Sequence, residues 1–348
     1  MARRLLWGSL VLAPVAIVAR YVFHAGDVVL FVLAAAALVP LAWVIGESTE
    51  HAAEHTGAGV GGFLNASFGN APELIITIFA VNEGLLDVVR GSIAGSVISN
   101  ILLVLGLALI IGPDRATVDR RSLLLQLGLV LAAVAAFLVP SIPGFDGDPN
   151  RDSLAYLSIP VAVVLLGLYL VMTVDNLRRH RYAHTTAPSL GAWTLRRALL
   201  ALGIATVTTA FISEILVHSL EGFGEAAGLS EFFISIVIVA IVGNAAEHGG
   251  AIVIAHRGKM PLASEIAISS SAQVALFVAP AIALASFVIT PKLALAFRPI
   301  ELIGMAGAAA IVALVVRNGN TRRWEGWLLL AVYAAFVAWV FAAGDRGA

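Results

Sequence analysis

The feature that most restricts this chain is a succession of apolar stretches, each close to the roughly 20 residues a helix needs to cross a hydrocarbon core about 30 Å thick. That ruler divides the chain into about eleven segments, beginning near Leu5, Val28, Gly61, Leu85, Ser122, Ser153, Leu195, Ser230, Leu262, Leu293 and Trp324. Within lipid, every backbone N–H and C=O must find its partner inside the protein, and spans of this length meet that demand as helices. An all-α membrane protein is expected. Composition agrees: 12% of residues are charged, about half of the roughly 25% usual in soluble domains.

The net charge of −1 offers no basic surface for nucleic acid. With no cysteine, disulfides and thiolate metal sites are excluded, so any bound metal is held by oxygen or imidazole. Arg3 and Arg4 ahead of the apolar run 5–22 have the look of a signal peptide, but no clean small-residue cleavage site follows, and the run is read as a retained span. Eleven spans with a cytoplasmic N-terminus put fifteen Lys and Arg residues inside and six outside (Arg20, Arg90, Arg151, Lys292, Arg298 and Arg346). This bias favours a cytoplasmic N-terminus and an external C-terminus. The acid-bearing breaks at 140–152 and 221–231 then lie outside.

A repeat divides the chain. Gly69-Asn70-Ala71-Pro72-Glu73 is matched by Gly243-Asn244-Ala245-Ala246-Glu247, an offset of 174 residues. Downstream, a one-residue slip aligns Ile93-Ala94 with Ile266-Ala267 and sets Ser96 opposite Ser269 and Asn100 opposite Gln273; upstream, Thr49-Glu50 has a looser counterpart in Ser213-Glu214. The expected organisation is an extra helix in 1–26, a five-helix repeat in 27–175, a cytoplasmic linker in 176–194 and a second five-helix repeat in 195–348. An odd number of spans per repeat gives the halves opposite orientations, the plan of a secondary transporter with one site at the midplane.

Glu73 and Glu247 fall inside spans, where an isolated carboxylate costs several kcal/mol. A cation, a proton or a water-filled cavity has to offset that cost. Asn70 and Asn244 each precede the acid by three residues, on the same helical face. Pro72 and the glycines around both motifs loosen the backbone and can free carbonyl oxygens. An oxygen-only set suits a hard cation, and a flexible shell of six to eight oxygens favours calcium over magnesium. Ser96 and Asn100, and Ser269 and Gln273, are pairs spaced by four that either complete the shell or tie helices together. Glu50 and Glu214 are either access-path carboxylates or solvated ones. His248, opposite Leu74, breaks the symmetry as a proton relay or as a neutral, hydrogen-bonded histidine.

One competing pattern is His51-Ala52-Ala53-Glu54-His55, which has the H-x-x-E-H order of inverted zincins and would suit a membrane zinc protease. No third ligand is apparent, and that reading leaves the repeated motif without a role.

The strings 61–76 and 242–248 resemble the calcium/proton exchangers, the cation exchangers of the calcium/cation antiporter superfamily, and the resemblance covers nearly the whole chain. It implies a non-enzymatic antiporter without a cofactor, exchanging calcium for protons by alternating access. Glu73 and Glu247 would be the central carboxylates, with Asn70, Asn244 and Gln273 near them, Glu50 and Glu214 on access paths and His248 beside the site. Exchange of calcium for sodium or another cation is the alternative within the superfamily, but Glu247-His248 with Gln273 downstream points to protons. The brevity of the chain points to a prokaryotic plasma membrane. Many members carry an acidic stretch between the halves, whereas 175–197 here is basic, so regulation through such a stretch is not expected.

Overall fold

The computed structural model describes residues 2–180 and 193–343. These residues are helical almost throughout. In order the helices are α1 (Ala2–Ser9), α2 (Leu12–Tyr21), α3 (Asp27–Phe68), α4 (Ala71–Asn82), α5 (Leu86–Ile111), α6 (Arg120–Gly144), α7 (Asp152–His180), α8 (Leu195–His218), α9 (Leu220–Ala227), α10 (Glu231–Gly243), α11 (Ala245–His256), α12 (Met260–Ala285), α13 (Pro299–Val316) and α14 (Arg323–Ala343). Among the described residues eight helices are long and apolar enough to cross a membrane, α9 with α10 pass that test as one broken span, and Leu5–Tyr21 and Ala71–Asn82 are shorter apolar helices. Eight, one and two together account for the eleven segments counted from the sequence.

Several boundaries differ from expectation. The third segment does not begin at Gly61, because α3 continues to Phe68 and breaks at Gly69-Asn70, before α4. The eighth likewise breaks at Asn244, between α10 and α11. Residues 140–144, read as a break, remain helical through Pro140 and Pro143, and Leu220–Ala227, read as an external loop, forms α9 by burying Leu220 and Gly224. The tenth segment begins at Pro299 rather than Leu293. Proline suits the first turn of a helix, where its missing N–H would have no partner, and it pushes the residue before it out of the helical region. Of the expected linker, residues 176–180 end α7, while 181–192 lie outside the described residues.

The helices form two compact units, each drawing on both halves of the sequence: Met1–Phe79, Gly167–Ala227 and Val242–Ala246 in one, Ala80–Leu166, Gly228–Ile241 and Glu247–Ala348 in the other. In the first, α3 packs along α2 and along α8, the latter through Val44, Ile45, Leu202 and Ala205. Stacked Phe31 and Phe223, 4.2 Å apart, fasten α9 to α3. In the second, glycines allow helices to approach backbone to backbone, as small residues do in membrane proteins. A Cβ at Gly95 of α5 would overlap the Ile236 carbonyl oxygen of α10, and one at Gly326 of α14 would lie 2.6 Å from the Gly106 carbonyl oxygen of α5.

The second unit also buries a non-helical stretch, 293–297, in which all five residues are buried. Its backbone donors are served by serines: the N–H groups of Leu293, Leu295 and Phe297 donate to the hydroxyls of Ser286, Ser158 and Ser141 at 2.8, 2.9 and 2.9 Å. Arg90, itself fully buried, donates to the Ala294 carbonyl at 3.4 Å. Such partners make irregular backbone tolerable away from water.

Helix bounds carry the repeat. α4 and α11 are both 12 residues long, α5 and α12 both 26, and each pair starts 174 positions apart. No one-residue slip separates them. This corrects the alignment above: at an offset of 174, Ser96 stands opposite Ser270 rather than Ser269, and Gln273 stands opposite Ser99 rather than Asn100.

Candidate cation site

Each GNAxE motif lies at a helix break. Glu73 is the third residue of α4 and Glu247 the third of α11, so both carboxylates occupy the first turn of a helix. There the N-terminal end of the helix dipole favours negative charge. The preceding helix ends one or two residues earlier and leaves its last carbonyls without intrahelical partners. A break of this kind gathers amide donors, carboxylate and carbonyl oxygens at one depth, the device by which interrupted helices build ion sites. Pro72, as the second residue of α4, falls where a backbone donor would have had no helical partner.

In the first unit Asn70 and Glu73 are buried, and so is Asn244. The Asn70 carbonyl accepts from the N–H of Leu74 at 3.1 Å, closing the first turn of α4. Thr77 Oγ1 donates to the Glu73 carbonyl at 2.7 Å. Gly243 makes room for the acid, since a Cβ there would lie 3.4 Å from Glu73 Cγ and 3.7 Å from its carboxyl carbon. Glu214 is half-buried and accepts from the Tyr21 hydroxyl at 3.4 Å; Glu50 is exposed on α3.

In the second unit Glu247 meets a polar relay. The Ser270 hydroxyl donates to Glu247 Oε2, and Asn100 Nδ2 donates to Ser270 Oγ at 3.1 Å. Ser96, Asn100 and Ser270 are all buried, whereas Gln273 is half-buried. Ser271 ties α12 to α5 by donating to the Val97 carbonyl at 3.0 Å. The hydroxyl of Ser269 instead donates to the Ile266 carbonyl of its own helix at 3.3 Å. Ser270, rather than the expected Ser269, is thus the serine that meets Glu247. The spacing held the signal, because Ser96 follows Glu73 by 23 residues and Ser270 follows Glu247 by 23. His248 is buried, and among the described residues its Nε2 has no hydrogen-bond partner.

Helices α5, α10 and α12 each contain a π-helical turn, at Ser99–Val104, Ile234–Val239 and Val274–Val278. The first includes Asn100 and the third follows Gln273 directly. Such turns rotate side chains relative to a regular helix and are frequent at functional sites.

The HAAEH histidines are engaged in packing. His55 Nε2 lies 2.6 Å from the Trp193 carbonyl, and His51 stacks on the Trp193 ring with centroids 5.0 Å apart. Among the described residues no three His, Asp or Glu side chains are grouped to hold a metal. The zinc-protease alternative therefore has no ligand set in these residues.

The sodium/calcium exchanger protein family model matches residues 26–176 and 197–342. The Ca(2+)/H(+) antiporter ChaA of Bacillus subtilis is 37% identical over 321 residues, covering 89% of this chain and 91% of that protein. A Ca(2+)/H(+) antiporter of Synechocystis is 35% identical over 354 residues, covering 93% and 94%. Among solved structures, native YfkE superposes with a TM-score of 0.81 at 34% identity, covering 95% of this chain and 97% of that one. The H+/Ca2+ exchanger CAX, at 15% identity and a TM-score of 0.73, shares the fold. The chain belongs to the calcium/proton exchangers within the sodium/calcium exchanger protein family.

Proposed function

We propose that the protein is a secondary transporter exchanging calcium for protons, with Glu73 and Glu247 as the carboxylates that take either ion. The observation that carries this reading is the repeated carboxylate at a helix break, Glu73 beside Gly243 in one unit and Glu247 on the Ser270–Asn100 relay in the other. Carboxylate, amide, hydroxyl and backbone carbonyl oxygens are the donors calcium accepts. Carboxylates in apolar surroundings are costly when charged, so each holds a cation or a proton. Binding of the two is then mutually exclusive. When only the loaded protein reorients, exclusion becomes obligatory exchange.

The matching bounds of α4 with α11 and of α5 with α12 support two five-helix repeats at 27–175 and 195–348, of opposite orientation, with the helix in 1–26 as an extra. Asn70, Asn244, Ser96, Asn100, Ser270 and Gln273 would complete the shell. Glu50, Glu214 and His248 would serve proton movement or access, and Ser269 would face away from the ion. The Lys and Arg bias supports a cytoplasmic N-terminus, and a bacterial plasma membrane suits the bacterial relatives. Calcium would leave the cytoplasm at the expense of the proton gradient.

Proteoliposomes provide the test. An imposed pH gradient is expected to drive calcium uptake that Glu73→Gln and Glu247→Gln each abolish while both variants insert normally. Uptake that ignores the pH gradient and follows a sodium gradient would overturn the proton assignment.

A further inference from the structure

A cavity away from the GNAxE motifs lies wholly in the second unit, with a volume of about 620 Å³. Its wall is mostly apolar, including Phe145, Phe297, Ile300, Ile303 and Trp339, and Asp87, Asn150 and Arg298 supply its polar groups. A second, smaller cavity of about 230 Å³ lies along α13 and α14; it shares Ile303 and Trp339 with the first and is lined elsewhere by Gly304, Gly307, Ile311 and Phe336, among other apolar residues. Ile303 and Trp339 are 57% and 43% exposed, so the shared wall opens to the surroundings of the helices, which in a membrane are lipid.

The polar end favours an anion. Asp87 is already neutralised, because Oδ1 accepts from Arg90 Nη2 and Oδ2 from Arg298 Nη2 at 2.9 Å. Glu301 is buried, accepts from the Arg298 backbone N–H at 2.5 Å and is not among the residues that line the cavity. Asn150 Oδ1 accepts from Arg90 Nη2 at 2.8 Å, which directs its amide N–H₂ elsewhere. The Arg298 guanidinium lies over the Phe232 ring at 4.5 Å, and a guanidinium carries five donors, of which Asp87 takes one. Beyond this polar end the groove follows α13 from Ile303 to Ile311, roughly 12 Å at 1.5 Å per residue. Half a hydrocarbon core is about 15 Å. The groove therefore has the length of the upper part of one acyl chain.

We propose that the paired cavities bind one anionic glycerophospholipid, its phosphate on Arg298 and Asn150 and one acyl chain in the groove between α13 and α14. Gly307 makes the groove testable, because it lines the groove and a Cβ there meets nothing within 4 Å, so a side chain at this position starts into open space.

The experiment titrates lipid-depleted protein in detergent with dioleoyl-phosphatidylglycerol or dioleoyl-phosphatidylcholine and counts bound lipid by native mass spectrometry. Both phosphodiesters can accept from Arg298, but the choline ammonium of phosphatidylcholine is repelled by that guanidinium, so the intact chain is expected to bind one phosphatidylglycerol about tenfold more tightly than phosphatidylcholine. Arg298→Gln removes that preference. Gly307→Phe excludes both lipids while its thermal unfolding in lipid-free detergent stays that of the parent. Equal affinity for the two lipids in the parent, or unchanged binding in Gly307→Phe, overturns the proposal. Inorganic phosphate competing as well as the lipid would assign the site to a free anion and overturn it too. If Arg298→Gln fails to fold after losing its Asp87 bond, the parent's lipid preference and the Gly307→Phe result decide.

Discussion

Replacing Ser270 by alanine separates two readings of the site that differ by one residue. The Ser270 hydroxyl donates to the Glu247 carboxylate and accepts from Asn100, whereas the neighbouring Ser269 donates only to its own helix. A hydrogen bond to an ionised group contributes about 1.5–3 kcal/mol net, which is roughly tenfold to a hundredfold in an equilibrium constant. The calcium concentration that half-saturates exchange, measured at fixed pH in proteoliposomes, should rise by that factor in Ser270→Ala. Ser269→Ala removes a bond that a helix makes redundant, so its change should stay within about 0.5 kcal/mol, or about twofold. Ser270→Thr keeps a hydroxyl and should restore much of the affinity. A large effect of Ser269→Ala together with a silent Ser270→Ala would refute the placement and reinstate the slipped alignment.

Other consequences concern stability. Ser141→Ala strands the buried N–H of Phe297, so the detergent-solubilised protein should lose about 1–3 kcal/mol of stability, read as a lower thermal midpoint and spared in Ser141→Thr. Gly95→Ala drives a methyl into the Ile236 carbonyl and toward the Ala240 Cβ at 2.8 Å, costing about 1–3 kcal/mol from overpacking; Gly203→Ala, with nothing within 4 Å, should leave the midpoint unchanged or higher. At the end of α5, the Arg323 backbone N–H, aided by the charges of Arg323 and Arg115, holds the Asp114 carboxyl below the usual carboxylate range. A depressed carboxylate stabilises the fold above its unfolded pKa, and that contribution is lost as pH falls through the folded value. Asp114→Asn should therefore unfold more readily than the parent at neutral pH, and the two midpoints should converge below about pH 4.

Hydropathy made the number of apolar segments legible, because the need to satisfy backbone groups in lipid leaves few alternatives to helix. It did not locate the breaks within segments. Gly69-Asn70 and Asn244 sit in runs that remain apolar on both sides, so a window average passes over them. The motif residues themselves were visible as repeated acid and amide, but their position in the first turn of α4 and α11 was not. The irregular stretch 293–297 was hidden for a related reason: Leu293-Ala294-Leu295-Ala296-Phe297 reads as a span, and only the three distant serines that receive its N–H groups allow it to be anything else.

The misplaced serine has a geometric cause. Aligning Ile93-Ala94 with Ile266-Ala267 gains two identities at the price of a one-residue shift, and sequence comparison rewards identities. On a helix one residue is about 100° of rotation, so the shifted register turns the paired serine away from the acid it is meant to face. Apolar positions tolerate such a shift, since Ile, Ala and Val exchange readily on a buried face. A hydroxyl aimed at a carboxylate does not. The spacing of 23 residues from acid to serine is kept in both halves, and the equal lengths of α5 and α12 keep it in register to their ends. In this chain the repeat is better read from the distance between polar groups than from the identity of the residues between them.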